Sequence, residues 1–173
     1  MDIEVLILAQ LMKGPKHGYE IKKNISFVMN NNKIINNNSL YPKLKLFEER
    51  GLVSSKEVLQ DRRPNRFVYS ITADGEQVFH ERLNDFTPQM IRDESEWTIR
   101  LAFYELFDAK ARRKLLSYRA AHVNEKQEHL RKLSEVMGSG EDLVYSEELY
   151  VYMQKMLNRE REVIQELGRQ IEG

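Results

Sequence analysis

The chain has 173 residues, 31% of them charged, no cysteine and a formal net charge of zero. Without cysteine there is no disulfide, thiolate metal site or cysteine nucleophile. The acidic start (Asp2, Glu4) and short apolar run Val5 to Ala9 do not make a signal peptide, and no segment approaches the roughly 20 apolar residues of a membrane span, so a cytoplasmic protein is expected.

The zero net charge hides a split. Residues 1–72 hold 12 Lys+Arg against 7 Asp+Glu, and residues 73–173 hold 15 against 20. A net of +5 followed by −5 confines any polyanion partner to the first half.

Ile3 to Met12 reads as a largely buried helix stopped by Gly14-Pro15. Gly18 to Met29 is a second helix, with Ile21, Ile25, Val28 and Met29 at core spacing. The Asn-rich stretch Asn30 to Asn38, which holds Lys33-Ile34-Ile35, reads as a loop because asparagine competes with helix through its own backbone bonds. A third helix follows. Pro42 has no N–H and so belongs in a first turn, which makes Ser39 the expected N-cap and places Leu40, Leu44 and Phe47 inside. Gly51 ends it.

Val53 to Leu59 and Phe67 to Thr72 read as two strands around a polar tip, Asp61-Arg62-Arg63-Pro64-Asn65-Arg66. Thr72 caps a fourth helix, Ala73 to Leu83. A helix with spare polar groups followed by a basic hairpin suggests a winged helix-turn-helix that grips DNA.

Asn84 to Pro88 marks a domain boundary, giving a DNA-binding domain over 1–84 and a helical domain over 89–173. Beyond it, Trp97, Leu101, Phe103 and Tyr104 mark a helix of about four turns. Leu116, Val123, Leu130 and Met137 recur every seven residues, as do Tyr150, Leu157, Ile164 and Ile171, on either side of the break Gly138-Ser139-Gly140. Two such helices form a helical hairpin or a short, irregular coiled coil. The fold class is mainly α: a winged helix with two-stranded wing and fourth helix, then long helices.

Four segments in order, Leu11 to Ile21 (with His17-Gly18-Tyr19-Glu20), Ser39 to Leu44, Glu48 to Leu52, and Tyr69 to Gly75, resemble the PadR family of bacterial transcription regulators. From Trp97 onward the tail resembles the longer C-terminal domain of the AphA-like subgroup. The resemblance implies a homodimer joined by the C-terminal helices and a palindromic or pseudo-palindromic double-stranded operator. It further implies a repressor released by a small molecule or other signal, with activators in the AphA-like subgroup. Leu46 stands where the family usually has a polar residue, and it either meets a thymine methyl or packs against the wing.

On that reading Tyr41 and Lys45, four apart on one helix face, reach the major groove or its phosphates, with Lys43 on the flank. Asn38 and Ser39 lie at the helix N-terminus, which favours a phosphate. Tyr19 and Lys22 open the helix that crosses the DNA backbone. Arg62, Arg63 and Arg66 flank the wing tip and suit a phosphate or a narrow minor groove. The expected dimer seam is Leu116, Val123, Leu130, Met137, Leu157, Ile164 and Ile171.

Trp97, the single tryptophan, with Phe86, Met90 and Phe103, is either a core or interface anchor or a site for a planar aromatic effector, as some relatives use. Catalysis is not expected. There is no phosphate-binding glycine loop, and His17, His80, His122 and His129 lack metal-ligand spacing, so no metal or cofactor is expected. The rival reading is a protein–protein interaction module built on the tail.

Overall fold

Ile3–Met12 forms α1, apolar on nearly every face. A helix of that composition belongs at the centre of a domain, and α1 packs against three later elements, the second and fourth helices and the last strand. Described residues of this computed structural model are 3–28, 35–58, 66–138 and 147–172. The chain clusters into two compact units, Met1–Phe86 with Thr98–Phe107, and Thr87–Trp97 with Asp108–Gly173.

In the first unit α1 leads through β1 (Lys16–His17) into α2 (Gly18–Val28), then α3 (Asn37–Glu49), β2 (Val53–Val58), β3 (Arg66–Ile71) and α4 (Ala73–Asn84). The sheet has the order β1-β3-β2 and is antiparallel throughout, with Val53 opposite Ile71 and Lys16 opposite Tyr69. The expected wing strands are there. The short β1 is an addition, because two residues carry no periodicity from which to read a strand.

Helix α3 ends in a Schellman motif. Gly51 takes φ +71°, Leu52 N–H donates to the Phe47 carbonyl at 2.8 Å, and Gly51 N–H donates to that of Glu48 at 3.0 Å. Thr72 caps α4 as expected, accepting from Gly75 N–H at 3.1 Å, and its hydroxyl also donates to the Gly51 carbonyl at 2.7 Å. One threonine thus fastens the end of α3 to the start of α4.

The split into 1–84 and 89–173 differs from the units in one segment. Thr98–Phe107 belongs with the first unit. There Phe107 meets Phe86 edge to face at 6.0 Å, and the buried Arg100 guanidinium lies 5.3 Å from the Phe86 ring centre. Burying Phe103 and Phe107 also explains the helix that fell short of four turns: α6 (Glu94–Ala102) stops after nine residues, and Tyr104–Leu106 is a 3-10 turn.

The second unit holds α5 (Pro88–Arg92), the start of α6, α7 (Ala109–Gly138) and α8 (Glu147–Glu172). The long helices pair antiparallel: Gln127 reaches Asn158 at 3.1 Å and Asn124 accepts from Arg161 at 3.4 Å. They form a helical hairpin within the chain. Leu116, Val123, Leu130, Leu157 and Ile164 are buried in this unit, so the seven-residue stripe assigned to a dimer seam is the hairpin's own core. Ile171 is half-buried, and the Met137 side chain lies outside the described residues.

Candidate nucleic-acid interface

The start of α3 differs from the expectation drawn from Pro42. Asn36 is the N-cap: its Oδ1 accepts from Ser39 N–H, and Ser39 Oγ accepts from Asn36 N–H, both at 3.0 Å. This reciprocal capping box satisfies two otherwise unpaired donors and outweighs the proline argument. Pro42 becomes the sixth helical residue. The carbonyl it deprives of a donor is that of Asn38, an exposed residue, where water can serve.

Ser39 also donates to the Asn36 carbonyl at 3.0 Å. Its hydroxyl is therefore committed to the cap, which weighs against the phosphate role expected of it. Asn38 stays exposed in the first turn. Lys22 reaches Asn37 Oδ1 at 3.0 Å and ties α2 to α3.

On the outer face of α3, Tyr41 is 44% exposed, and the Lys45 side chain is 78% exposed, 3.8 Å from Glu49. Lys43 behaves otherwise. Its ammonium lies 3.0 Å from Glu4 Oε1, and the other oxygen of that carboxylate holds Arg82 at 2.5 Å. Burial favours the neutral acid, but the bonds to Lys43 and Arg82 outweigh it and hold the Glu4 carboxyl below its ordinary range. Lys43 is thus first a fold contact. Leu46 is half-buried on the same helix.

Between α2, Tyr41 and β3 lies a cleft of about 850 Å³. Lys16, Lys23, Arg66, Tyr19, Tyr41 and Phe67 all line it. Tyr19, Tyr41 and Phe67 are exposed aromatics. Glu20, the carboxylate of the cleft, accepts the His17 N–H at 2.8 Å and so belongs to the start of α2. Lys16, Lys23 and Phe67 are not among the residues singled out in the sequence. For Lys16 the missing signal is the pairing of β1 with β3, which brings it beside Tyr69. Arg66 opens β3, exposed. Arg62 and Arg63 lie outside the described residues.

The aromatic cluster is not an open site. Phe86 and Phe103 are buried in the first unit, while Trp97 and the half-buried Met90 belong to the second. Trp97 is 4% exposed, with the Arg119 guanidinium 5.2 Å from its ring. Arg119, fully buried, also bonds Glu94, Glu160 and the Ile91 carbonyl. The anchor reading of Trp97 therefore fits its surroundings. The sequence hint for Arg119 was its place three residues after Leu116 and four before Val123, on the apolar face.

Among the described residues no group of His, Asp and Glu could hold a metal, and no helix is long and apolar enough to cross a membrane.

A three-helix core, a small antiparallel sheet with its strand pair, and a basic, aromatic cleft beside α3 define a winged-helix domain. Residues 7–81 match the model of the PadR-like family of transcriptional regulators. A longer helical region follows the matched domain. Over 174 aligned residues, 94% of this chain and 91% of the relative, it is 23% identical to the negative transcriptional regulator PadR of Bacillus subtilis. Among solved structures, the putative transcriptional regulator TA0346 from Thermoplasma acidophilum is 31% identical, covering 46% of this chain and 75% of that one, with a TM-score of 0.42. Bacillus subtilis PadR in complex with operator DNA is 20% identical, covering 98% and 97%, with a TM-score of 0.46.

Proposed function

We propose that the chain is a homodimeric repressor. Helix α3 enters the major groove of a palindromic operator, with Tyr41 and Lys45 leading. Tyr19, Lys23, Arg66 and the wing arginines hold the flanking phosphates. A small molecule or other signal releases the complex, and the protein acts in the cytoplasm. The observation that carries this is the gathering of Lys16, Lys23 and Arg66 with exposed aromatics beside the outer face of α3. Cations on one face supply the salt-dependent, sequence-independent part of DNA affinity, and a helix with exposed polar groups supplies the rest. The sign of regulation is supported by the name of the Bacillus subtilis relative, a negative regulator.

The dimer surface is assigned to residues other than the seven-residue stripe. Leu149, Tyr152 and Met156 are exposed on α8, beside its buried positions. Their spacing of three and four places them on one exposed apolar face of the helix.

A mobility-shift assay on the DNA upstream of the protein's own gene tests the reading. A discrete complex, competed by the same fragment and not by unrelated DNA, is expected. Absence of specific binding to any genomic fragment would favour the interaction-module reading instead.

A further inference from the structure

Gly18 opens α2 directly beneath the Tyr41 ring. A Cβ built there would lie 2.8 Å from Tyr41 Cε1, 3.1 Å from its hydroxyl and 3.2 Å from Cζ. Backbone conformation does not call for this glycine, because the positive-φ glycines of the described chain are Gly14 and Gly51. What Gly18 provides is therefore space, and the occupant of that space is Tyr41.

Tyr69 on β3 lines the same cleft, buried, and is placed there by the pairing of Lys16 with Tyr69. Burial first, then the neighbouring Tyr41 and Glu48, push the Tyr69 hydroxyl above its ordinary range, which fits two phenols at close quarters. Tyr41 still exposes 44% of its surface. One side of its ring faces Gly18, and part of the residue stays open to solvent. A side chain so held has little rotamer freedom left to lose when it meets a partner.

We propose that Gly18 is the positioning residue for Tyr41: its missing side chain lets the ring lie across the first turn of α2, and that seat aims the exposed edge so that Tyr41 discriminates between DNA sequences. The inference rests on the reading of α3 as the DNA-reading helix. Only the far end of a tyrosine ring must move to admit a methyl group, so Gly18→Ala unseats Tyr41 and leaves the fold intact.

The test is a double-mutant cycle of Gly18→Ala and Tyr41→Ala on the full-length protein. The probes are a duplex recovered from a random library by the wild-type chain and a scrambled duplex of equal length. Gly18→Ala is expected to lower the ratio of the two affinities about tenfold, the scale of one base contact, and to leave scrambled-duplex affinity, salt slope and thermal midpoint as they were. In the Tyr41→Ala background it is expected to change nothing further. Wild-type discrimination by Gly18→Ala, an equal loss in both backgrounds, or loss of cooperative unfolding would each overturn the proposal. Discrimination unchanged by Tyr41→Ala would overturn it as well. If the wild-type chain recovers no sequence, the DNA-reading assignment itself falls, and that failure is seen before any variant is made.

Discussion

Glu4 in the first turn of α1 holds Lys43 of α3 at 3.0 Å, and its second oxygen holds Arg82 of α4. One carboxylate, 14% exposed, thereby pins α3 to α1 and α4. Removing one member of such a group leaves the others without their counter-charge. Glu4→Gln is expected to cost about 1–3 kcal/mol at neutral pH, as for a charged hydrogen-bonding group lost from a partly buried site. The folded carboxyl titrates below its ordinary value of 4.5. Its contribution is therefore present above that value and is lost as pH falls through the folded value. Urea denaturation at neutral and acid pH should show the gap between wild type and Glu4→Gln closing on acidification; a gap that stays constant would contradict the assignment.

Gly75 lies in the first turn of α4, where a Cβ would sit 2.0 Å from the Leu52 carbonyl oxygen. That oxygen is backbone and cannot swing aside, unlike the tyrosine ring above Gly18. Gly75→Ala must push α4 away from the start of β2, and a loss on the order of 1–3 kcal/mol is expected from such overpacking. Thermal melting of the two alanine variants side by side checks the contrast: Gly75→Ala should melt well below wild type and Gly18→Ala should not.

Arg119 is the anchor of the second unit. Its guanidinium serves Glu94, Glu160 and the Ile91 carbonyl and covers Trp97. The Glu94 side chain is 72% exposed, so solvent screens its share. The more buried bonds carry the rest, and Arg119→Ala should cost about 3–5 kcal/mol. Lysine cannot reproduce the planar fork and should not rescue. Trp97 supplies the readout, since loss of the overlying cation alters indole emission in native buffer. Emission identical to wild type would contradict the stacking.

His122 has both ring nitrogens buried without a hydrogen-bond partner. Burial first, then the positive charges of Lys126, Arg119 and Arg92, lower its pKa, while Glu125 opposes them. The unfolded chain then takes up a proton at a pH where the folded chain does not. Stability contributed by neutral His122 is complete above the ordinary value of 6.5 and declines as pH falls below it. The thermal midpoint of His122→Leu should be less sensitive to pH between 7 and 5 than that of the wild type. Equal pH dependence in the two proteins would contradict the buried, neutral state.

Much of this was legible in the sequence, and the reasons for the rest are physical. Periodicity reported α1 to its first and last residue because a ten-residue apolar run bounded by Gly14-Pro15 has few other forms. The N-cap of α3 was misplaced because the proline rule concerns a single lost hydrogen bond, whereas the Asn36–Ser39 box makes two. The stripe from Leu116 to Leu130 was read correctly as buried, but a seven-residue repeat does not say whether its partner is the same chain or another. The exposure of Tyr41 and Lys45 on one face of α3 followed from helix geometry alone. Lys16 did not, because it reaches the cleft through sheet pairing, which is not local. Lys43 looked like a surface lysine because its partner, Glu4, is far away in sequence.

On the proposed reading, the face made by α2, α3 and the base of the wing holds DNA. The most direct measurement is the salt dependence of binding for the double variant Lys45→Ala/Arg66→Ala. Each lost phosphate contact reduces the slope of log affinity against log salt by roughly 0.9. A slope shallower by nearly two contacts, with weaker binding at low salt, is the predicted result. Affinity and slope both equal to those of the wild type would contradict it.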